Sequence, residues 1–259
     1  WIHARFAELT SQRLVYERRL VPLDGFAQAL RDFAAGGGRG CNITVPFKFE
    51  APALASVCSE RVRLAGAANV LSFAADGSIQ ADNTDGLGLV ADITRNAGVP
   101  LQGARVLLVG AGGAAAGVLG PLLQAGVRHI TLANRTVAKA EALVASHSAL
   151  ASLQKAELMA LAPQGLEGDF DVIINATASS LAGDAVPVPA SVLRPGSLAY
   201  DMMYGPAAQG FLDWAQAHGA VARDGLGMLV EQAAEAFAIW RGVRPPSAQV
   251  LEELRRAPH

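Results

Sequence analysis

Cysteine, charge and aromatic side chains are all scarce in this chain of 259 residues, and each shortage narrows what it can be. Two cysteines, Cys41 and Cys58, are too few for a disulfide scaffold and point to a reducing compartment. Charged residues make up 17%, and 21 Lys+Arg against 23 Asp+Glu leave a net charge of −2. That excludes a globally basic nucleic-acid surface, though not a local basic pocket. The five histidines (His3, His129, His147, His218 and His259) are scattered, with no pair at zinc-ligand spacing, so no metal is expected. Aromatics reach only 6% while glycine supplies 27 residues, which implies tight turns and close backbone approaches. No charged region leads into an apolar run at the front, so no secretory signal is expected, and the expected location is cytoplasmic. The chain opens at Trp1 without an initiator Met and is expected to have been cut at its front.

What is present is apolar. At 51% hydrophobic the chain is too apolar for disorder and can bury a sizeable core. Its length favours two domains over one. The 22 residues from Val106 to Val127 carry no formal charge, long enough to suggest a membrane span. Six glycines and Pro121 argue against it, because Gly110, Gly112 and Gly113 follow directly on the run Val106-Leu107-Leu108-Val109. Strand, glycine turn and helix is the better parse, and no membrane contact is expected.

The first eighty residues mix elements. Helices are expected over Trp1–Leu9 and over Leu23–Ala35, the latter capped by Asp24 and stopped at Gly36-Gly37-Gly38. Short strands are expected around Leu14-Val15-Tyr16 and over Cys41–Val45. A helix then runs to about Leu64, and a hairpin turns around Asp76-Gly77. From Asp85 strands and helices alternate regularly. Strands fall at 105–109, 129–133, 171–175 and 197–201. Helices fall at 86–96, 114–125, 137–146 and 210–218. Such alternation implies a parallel sheet with right-handed crossovers. Two further helices, 228–240 and 247–256, close the chain.

Gly110-Ala111-Gly112-Gly113-Ala114-Ala115 follows a predicted strand and opens a predicted helix, the context in which GxGxxA carries weight. Gly110 permits the turn, Gly112 lets the backbone approach a pyrophosphate, and Ala115 allows close helix–strand packing. About 20 residues on, where an NAD-selecting chain carries Asp or Glu, the sequence reads Ala133-Asn134-Arg135-Thr136, with Lys139 following. Thr136 reads as an N-cap. Arg135 and Lys139 place two cations at the positive end of a helix dipole, which costs a few tenths to ~1 kcal/mol each. An anion such as the 2′-phosphate of NADP would turn that cost into a site.

Hydride transfer to a carbonyl leaves an alkoxide and so needs a proton donor. Two polar stretches stand amid apolar surroundings, Asn42 to Lys48 and Asp82 to Gly86. Lys48 lies in Pro-Phe-Lys-Phe, whose aromatics could desolvate its ammonium. Taken alone, Lys48 reads as a surface lysine and Asp85 as the N-cap of helix 86–96. Composition and spacing do not pair them.

Eight motifs nevertheless occur in order along nearly the whole chain: Asn-Ile-Thr-Val-Pro-Phe-Lys (42–48), Gly-Ala-Ala-Asn (66–69), Asp-Asn-Thr-Asp-Gly (82–86), Gly-Ala-Gly-Gly-Ala (110–114), Asn-Arg-Thr (134–136), Asn-Ala-Thr (175–177), Tyr-Asp-Met-Met-Tyr (200–204) and Asp-Gly-Leu-Gly-Met-Leu-Val-Glu-Gln-Ala (224–233). Together they resemble the shikimate dehydrogenase family. The resemblance implies reversible NADPH-dependent reduction of 3-dehydroshikimate to shikimate in aromatic amino-acid synthesis. It implies an α/β chain of two domains, with the active site in the cleft between them. One is a substrate-binding domain (1–84 plus 225–259) and the other a doubly wound Rossmann NADP-binding domain (85–224). It also pairs Lys48, as proton carrier, with Asp85, which orients it and binds substrate hydroxyls. Thr44, Asn69, Tyr204 and Gln232 match positions that line the substrate. Gly110, Ala111, Gly112, Gly113 and Ala114 match the pyrophosphate loop. Asn134, Arg135, Thr136 and Lys139 match the adenosine-phosphate pocket, and Thr177, Met202, Gly225 and Met228 the ribose and nicotinamide. Read without the resemblance, Met202 and Met228 are core filler and Tyr204 a loop anchor.

The family begins with a strand and a Ser-x-Ser-Pro loop, and Trp1 stands where the residue after that proline should be. The chain alone is therefore expected to be unstable or weakly active. Lys139, where some relatives carry Arg, keeps the charge but loses the planar grip on phosphate. Rival readings are a quinate/shikimate dehydrogenase preferring NAD, a glutamyl-tRNA-reductase-like protein, and a non-catalytic dinucleotide sensor. The partner expected is a small molecule, and the chain a monomer or homodimer.

Overall fold

A computed structural model describes residues 1–177, 186 and 188–256. The first part of the chain carries α1 (Ile2–Leu9), α2 (Phe26–Ala35), β1 (Gly40–Asn42), β2 (Val57–Cys58), α3 (Glu60–Ala65), β3 (Val70–Phe73) and β4 (Ile79–Asp82). Asp76 accepts from the Ser78 amide at 2.9 Å, and Gly77 takes φ +84°, so β3 and β4 pair as the expected hairpin. The four strands form a small mixed sheet in the order β1-β3-β4-β2. Phe26 and Leu30 of α2 pack over one side of it with Leu71 and Ala81.

Three expectations in this part are corrected. Residues 14–16 enter no ladder with any described strand, and Val15 stays 85% exposed. A β-prone sequence becomes a strand only where a partner supplies the hydrogen bonds. The helix expected from Pro46 to Leu64 is broken into 3₁₀ turns at Phe47–Phe49 and Ala51–Leu54, then β2, then α3. Pro52 opens the second turn, and Ser59 caps α3 by accepting from the Val62 amide at 3.3 Å. Finally, α2 starts one residue after Gly25, and no side chain, Asp24 included, caps it.

The connection into the second sheet is α4 (Asp85–Ala91), extended by a π turn over Asp92–Asn96. Then come β5 (Arg105–Val109), α5 (Gly113–Gln124), β6 (His129–Ala133), α6 (Val137–Leu153), β7 (Glu157–Leu161), β8 (Val172–Asn175) and β9 (Leu198–Asp201). The chain ends with α7 (Gln209–Ala217), β10 (Val221–Arg223), α8 (Leu226–Arg241) and α9 (Ser247–Arg256). All pairings in this sheet are parallel, in the order β10-β9-β8-β5-β6-β7. It is the doubly wound order, which reverses direction between β5 and β8.

Side chains alternate across this sheet, as strand geometry requires. Val106, Leu108, Ile130, Leu132, Val172 and Ile174 bury on one face with α4 and α5. Leu107, Val109, Ala133, Ile173 and Ala199 bury on the other, against Phe211 and Ala215 of α7. A third cluster joins Phe6 of α1, Val230 and Phe237 of α8 and Val250 of α9, so the chain's end returns to its beginning. Between the two sheets α4 is wedged against α5 on one side and α8 on the other. A β-carbon on Gly86 would lie 2.6 Å from the Gly117 carbonyl, and one on Gly88 2.7 Å from the Gln232 amide nitrogen. Among the described residues no helix is long and apolar enough to cross a membrane.

Candidate active site

The end of β4 turns a run of polar side chains inward. Asp82 is held by Arg61 at 2.7 Å and Ser59 at 2.8 Å. The next three residues, Asn83, Thr84 and Asp85, are buried. Thr84 is the N-cap position of α4 and Asp85 its first residue, which corrects the reading of Asp85 as the cap. A carboxylate there is favoured by the positive end of the helix dipole.

Each Asp85 oxygen has its own donor. Oδ2 accepts from Lys48 Nζ at 2.6 Å, and Oδ1 from Asn69 Nδ2 at 2.8 Å. Asn69 is fixed in turn: its Oδ1 accepts from the Thr84 amide at 2.8 Å, while its Nδ2 also lies 3.2 Å from Gln232 Oε1. Gln232 comes from α8, and its Nε2 donates to the Leu229 carbonyl at 3.0 Å. Lys48 is carried on the Phe47–Phe49 turn, whose Lys48 carbonyl accepts from the Ala68 amide at 2.8 Å. Three residues from distant parts of the sequence thus gather at one carboxylate, Lys48 and Asn69 bonded to it directly and Gln232 through Asn69. An ammonium carries three protons. Since the Lys48 side chain is 17% exposed, it can offer protons to a bound molecule while Asp85 holds it.

The turn after β5 has the geometry a dinucleotide needs. Gly110 takes φ +111°, and a β-carbon on it would sit 3.1 Å from the Ala176 carbonyl, so only glycine fits where β5 and β8 diverge. A β-carbon on Gly112 would meet nothing within 4 Å, leaving room for a close approach to the backbone. Among the described residues no side chain caps α5, so its first amides are unclaimed by a cap and suited to phosphate oxygens. Ala115 is fully buried against the sheet. At the end of β6, Asn134 Nδ2 donates to the Thr136 carbonyl at 2.8 Å. Thr136 occupies the N-cap position of α6, but its hydroxyl makes no cap bond. Arg135 and Lys139 are exposed, and neither enters an ion pair among the described residues. These residues fit a phosphorylated dinucleotide.

Of the remaining expected residues, Thr177 donates to Asn175 Oδ1 at 2.7 Å, and Asn175 reaches Asp201 at 3.1 Å. The Gly225 amide donates to the Met203 carbonyl at 2.8 Å, tying the start of α8 to the segment after β9. Met228 belongs to the main buried cluster and Met202 packs against it. Thr44 and Tyr204 are exposed and not hydrogen-bonded into the Asp85 cluster. Sequence reasoning passed over Asn83 and Thr84 as members of the cluster. Asn83 Oδ1 accepts from the Asp85 amide at 3.2 Å, and Thr84 Oγ1 lies 3.1 Å from the Gln232 carbonyl. Their signal was four consecutive polar residues between a strand and a helix.

A glycine turn at the switch point of a doubly wound sheet, beside a carboxylate-held ammonium, places the molecule among two-domain dinucleotide-dependent oxidoreductases. Comparison with known proteins narrows the class. Three family profiles match: the shikimate dehydrogenase substrate binding domain over residues 1–71, shikimate/quinate 5-dehydrogenase over 92–182, and the shikimate 5′-dehydrogenase C-terminal domain over 225–255. A Verminephrobacter eiseniae protein named shikimate dehydrogenase (NADP(+)) is 77% identical over 99% of this chain and 89% of its own length. One of the same name from Acidovorax ebreus is 77% identical over 99% of this chain and 91% of its own. The solved shikimate 5-dehydrogenase of Thermus thermophilus, in complex with NADP(H) and shikimate, superposes with a TM-score of 0.84. It is 29% identical, covering 99% of this chain and 93% of that one. The chain belongs to the shikimate dehydrogenase family, a family of oxidoreductases.

Proposed function

We propose that this chain catalyses the reversible NADPH-dependent reduction of 3-dehydroshikimate to shikimate, between a substrate-binding unit (1–84 plus 225–259) and a nucleotide-binding unit (85–224). The reading rests above all on the 2.6 Å pair of Lys48 and Asp85, held by Asn69, in a chain 77% identical to enzymes of that name. Bound NADPH supplies the hydride. Lys48 Nζ gives a proton to the alkoxide oxygen that results, and takes it back in the reverse direction. Asp85 aims the ammonium and accepts from a substrate hydroxyl. Thr44, Asn69, Tyr204 and Gln232 line the substrate. Gly110, Ala111, Gly112, Gly113 and Ala114 receive the pyrophosphate through backbone amides. Asn134, Arg135, Thr136 and Lys139 surround the adenosine phosphate, and Thr177, Met202, Gly225 and Met228 the ribose and nicotinamide. Preference for NADP follows from two exposed cations at the start of α6, which an anion there stabilises. The reaction belongs to the cytoplasm.

Absorbance at 340 nm with shikimate and NADP tests the activity, with quinate and NAD as parallel arms. Turnover is expected to favour shikimate with NADP. Lys48→Ala should lower kcat by about 10²–10⁴-fold, the usual worth of a positioned acid–base, while NADP binding persists. A Lys48→Ala protein that turns over normally overturns the assignment, and faster turnover with NAD overturns the cofactor preference.

A further inference from the structure

The turn that carries Lys48 touches three separate bodies with three successive residues. A 3₁₀ turn has three residues per turn, so neighbouring side chains point about 120° apart. Phe47 turns into the substrate-side core and stacks on Phe26, with ring centroids 4.7 Å apart and an interplanar angle of 13°. Lys48 reaches Asp85 at 2.6 Å. Phe49 reaches the other way, onto the first residue of α5. A β-carbon on Gly113 would lie 3.1 Å from Phe49 Cε2 and 3.3 Å from Cζ. The ring edge therefore occupies the space a side chain at Gly113 would need, directly over the α-carbon of the glycine turn. Phe49 is otherwise 56% exposed, an apolar side chain whose contact lies across the junction between the two sheets.

We propose that Phe49 is a positioning residue, a strut that transmits occupancy of the glycine turn to the Lys48 ammonium. The proposal rests on the reading of Lys48–Asp85 as the proton relay and of Gly110–Ala114 as the pyrophosphate loop. A phosphate held by the uncapped amides of α5 fixes Gly112 and Gly113 in place. The ring leaning on Gly113 is then fixed from one side, and Phe47 fixes the same turn from the other. Lys48, between them, loses freedom that it has when the loop is empty. Substrate bound against Lys48 therefore gains affinity when the nucleotide is present, by preorganisation rather than by direct contact.

The test is shikimate affinity with and without NADPH, a pair that cannot turn over because both members are reduced. The wild-type protein should bind shikimate at least about fivefold more tightly with NADPH, within the usual range of coupling between sites. Phe49→Ala should bring that ratio to within twofold of one and lower kcat about tenfold, with NADPH affinity changed less than threefold. Phe49→Leu, which keeps an apolar side chain of reach, should retain most of both. Gly113→Ala should lose activity in the wild-type background and lose less in Phe49→Ala, where the methyl has room. A wild-type ratio near one, or a Phe49→Ala protein with unchanged ratio and kcat, overturns the strut. The affinity ratio needs no turnover, so the two failures separate. If Lys48→Ala keeps full activity the relay reading is lost; if Lys48→Ala is inactive while Phe49→Ala behaves as wild type, only the strut is lost.

Discussion

His3 is a single residue with a measurable consequence for stability. It is 5% exposed, stacked on Tyr16 at 4.2 Å between centroids, with Trp240 at 5.4 Å and Phe6 at 6.1 Å. Its Nδ1 has no hydrogen-bond partner among the described residues. Burial pushes its pKa down to about 4, against the opposing pull of Asn42. An unfolded histidine titrates near 6.5, so as pH falls the unfolded chain takes up this proton first. Stability is full above about 6.5 and is lost between there and 4, by ~3 kcal/mol at most. His3→Phe keeps the stacking ring and removes the titration, so its urea unfolding free energy should fall less steeply from pH 7 to 4; an identical decline would refute this. The same scale shows what sequence could not deliver at the site. Lys48 and Asp85 are 37 positions apart, and Asn69 and Gln232 163 apart. No local spacing pairs such residues, and only the ordered motifs of a family brought them together before the fold did.

Among elements, legibility followed burial. β5, β6 and β8 could be read as short apolar runs because each is buried on both faces. β7 and β10 escaped notice because they are the edges of the sheet. β7 reads Glu-Leu-Met-Ala-Leu with Glu157 and Met159 exposed, and β10 is three residues, Val-Ala-Arg. Their strand state is imposed by the neighbour's ladder rather than by their own pattern. The helix expected after Pro46 failed similarly, since Phe47 is drawn onto Phe26 and cuts the run into turns. α4 could be read as a helix, but the need for glycine inside it could not. Gly88→Ala gains up to ~1 kcal/mol of helix propensity. Its methyl would stand 2.7 Å from the Gln232 amide nitrogen and the Met228 carbonyl, backbone atoms that cannot step aside. Overpacking of that kind costs about 1–3 kcal/mol, so the clash wins. A lower melting temperature and a higher KM for shikimate, through displaced Gln232, are expected. A raised melting temperature would show that α4 and α8 have slack.

At the scale of the whole molecule, α4 is the piece that both halves share. Its first residue, Asp85, holds Lys48; directly after its last stands Asp92, buried and fully inaccessible. Asp92 accepts from Arg223 of β10 at 2.6 and 2.9 Å, from the Tyr200 hydroxyl of β9 at 2.7 Å, and from Asn96 at 2.9 Å. The helix that begins in the active site is thus clamped at its other end to the outer strands of the large sheet. Burial works against the charge on Asp92, but Arg223, Tyr200 and Asn96 outweigh it and hold the carboxyl below its ordinary range. The contribution of a depressed carboxyl is complete above the unfolded value near 3.9 and is lost as pH falls through the folded one. Asp92→Asn removes the anion and leaves the Arg223 guanidinium, its side chain 19% exposed, without a counter-charge. Breaking a buried pair in this way costs about 3–5 kcal/mol at neutral pH. Chemical denaturation should show that gap at pH 7 and a narrower one below about 3.9, where the unfolded chain's carboxyl takes up a proton that the folded one still resists. A gap of equal size at both would mean that Asp92 holds α4 by shape alone, and that its charge contributes nothing to the clamp.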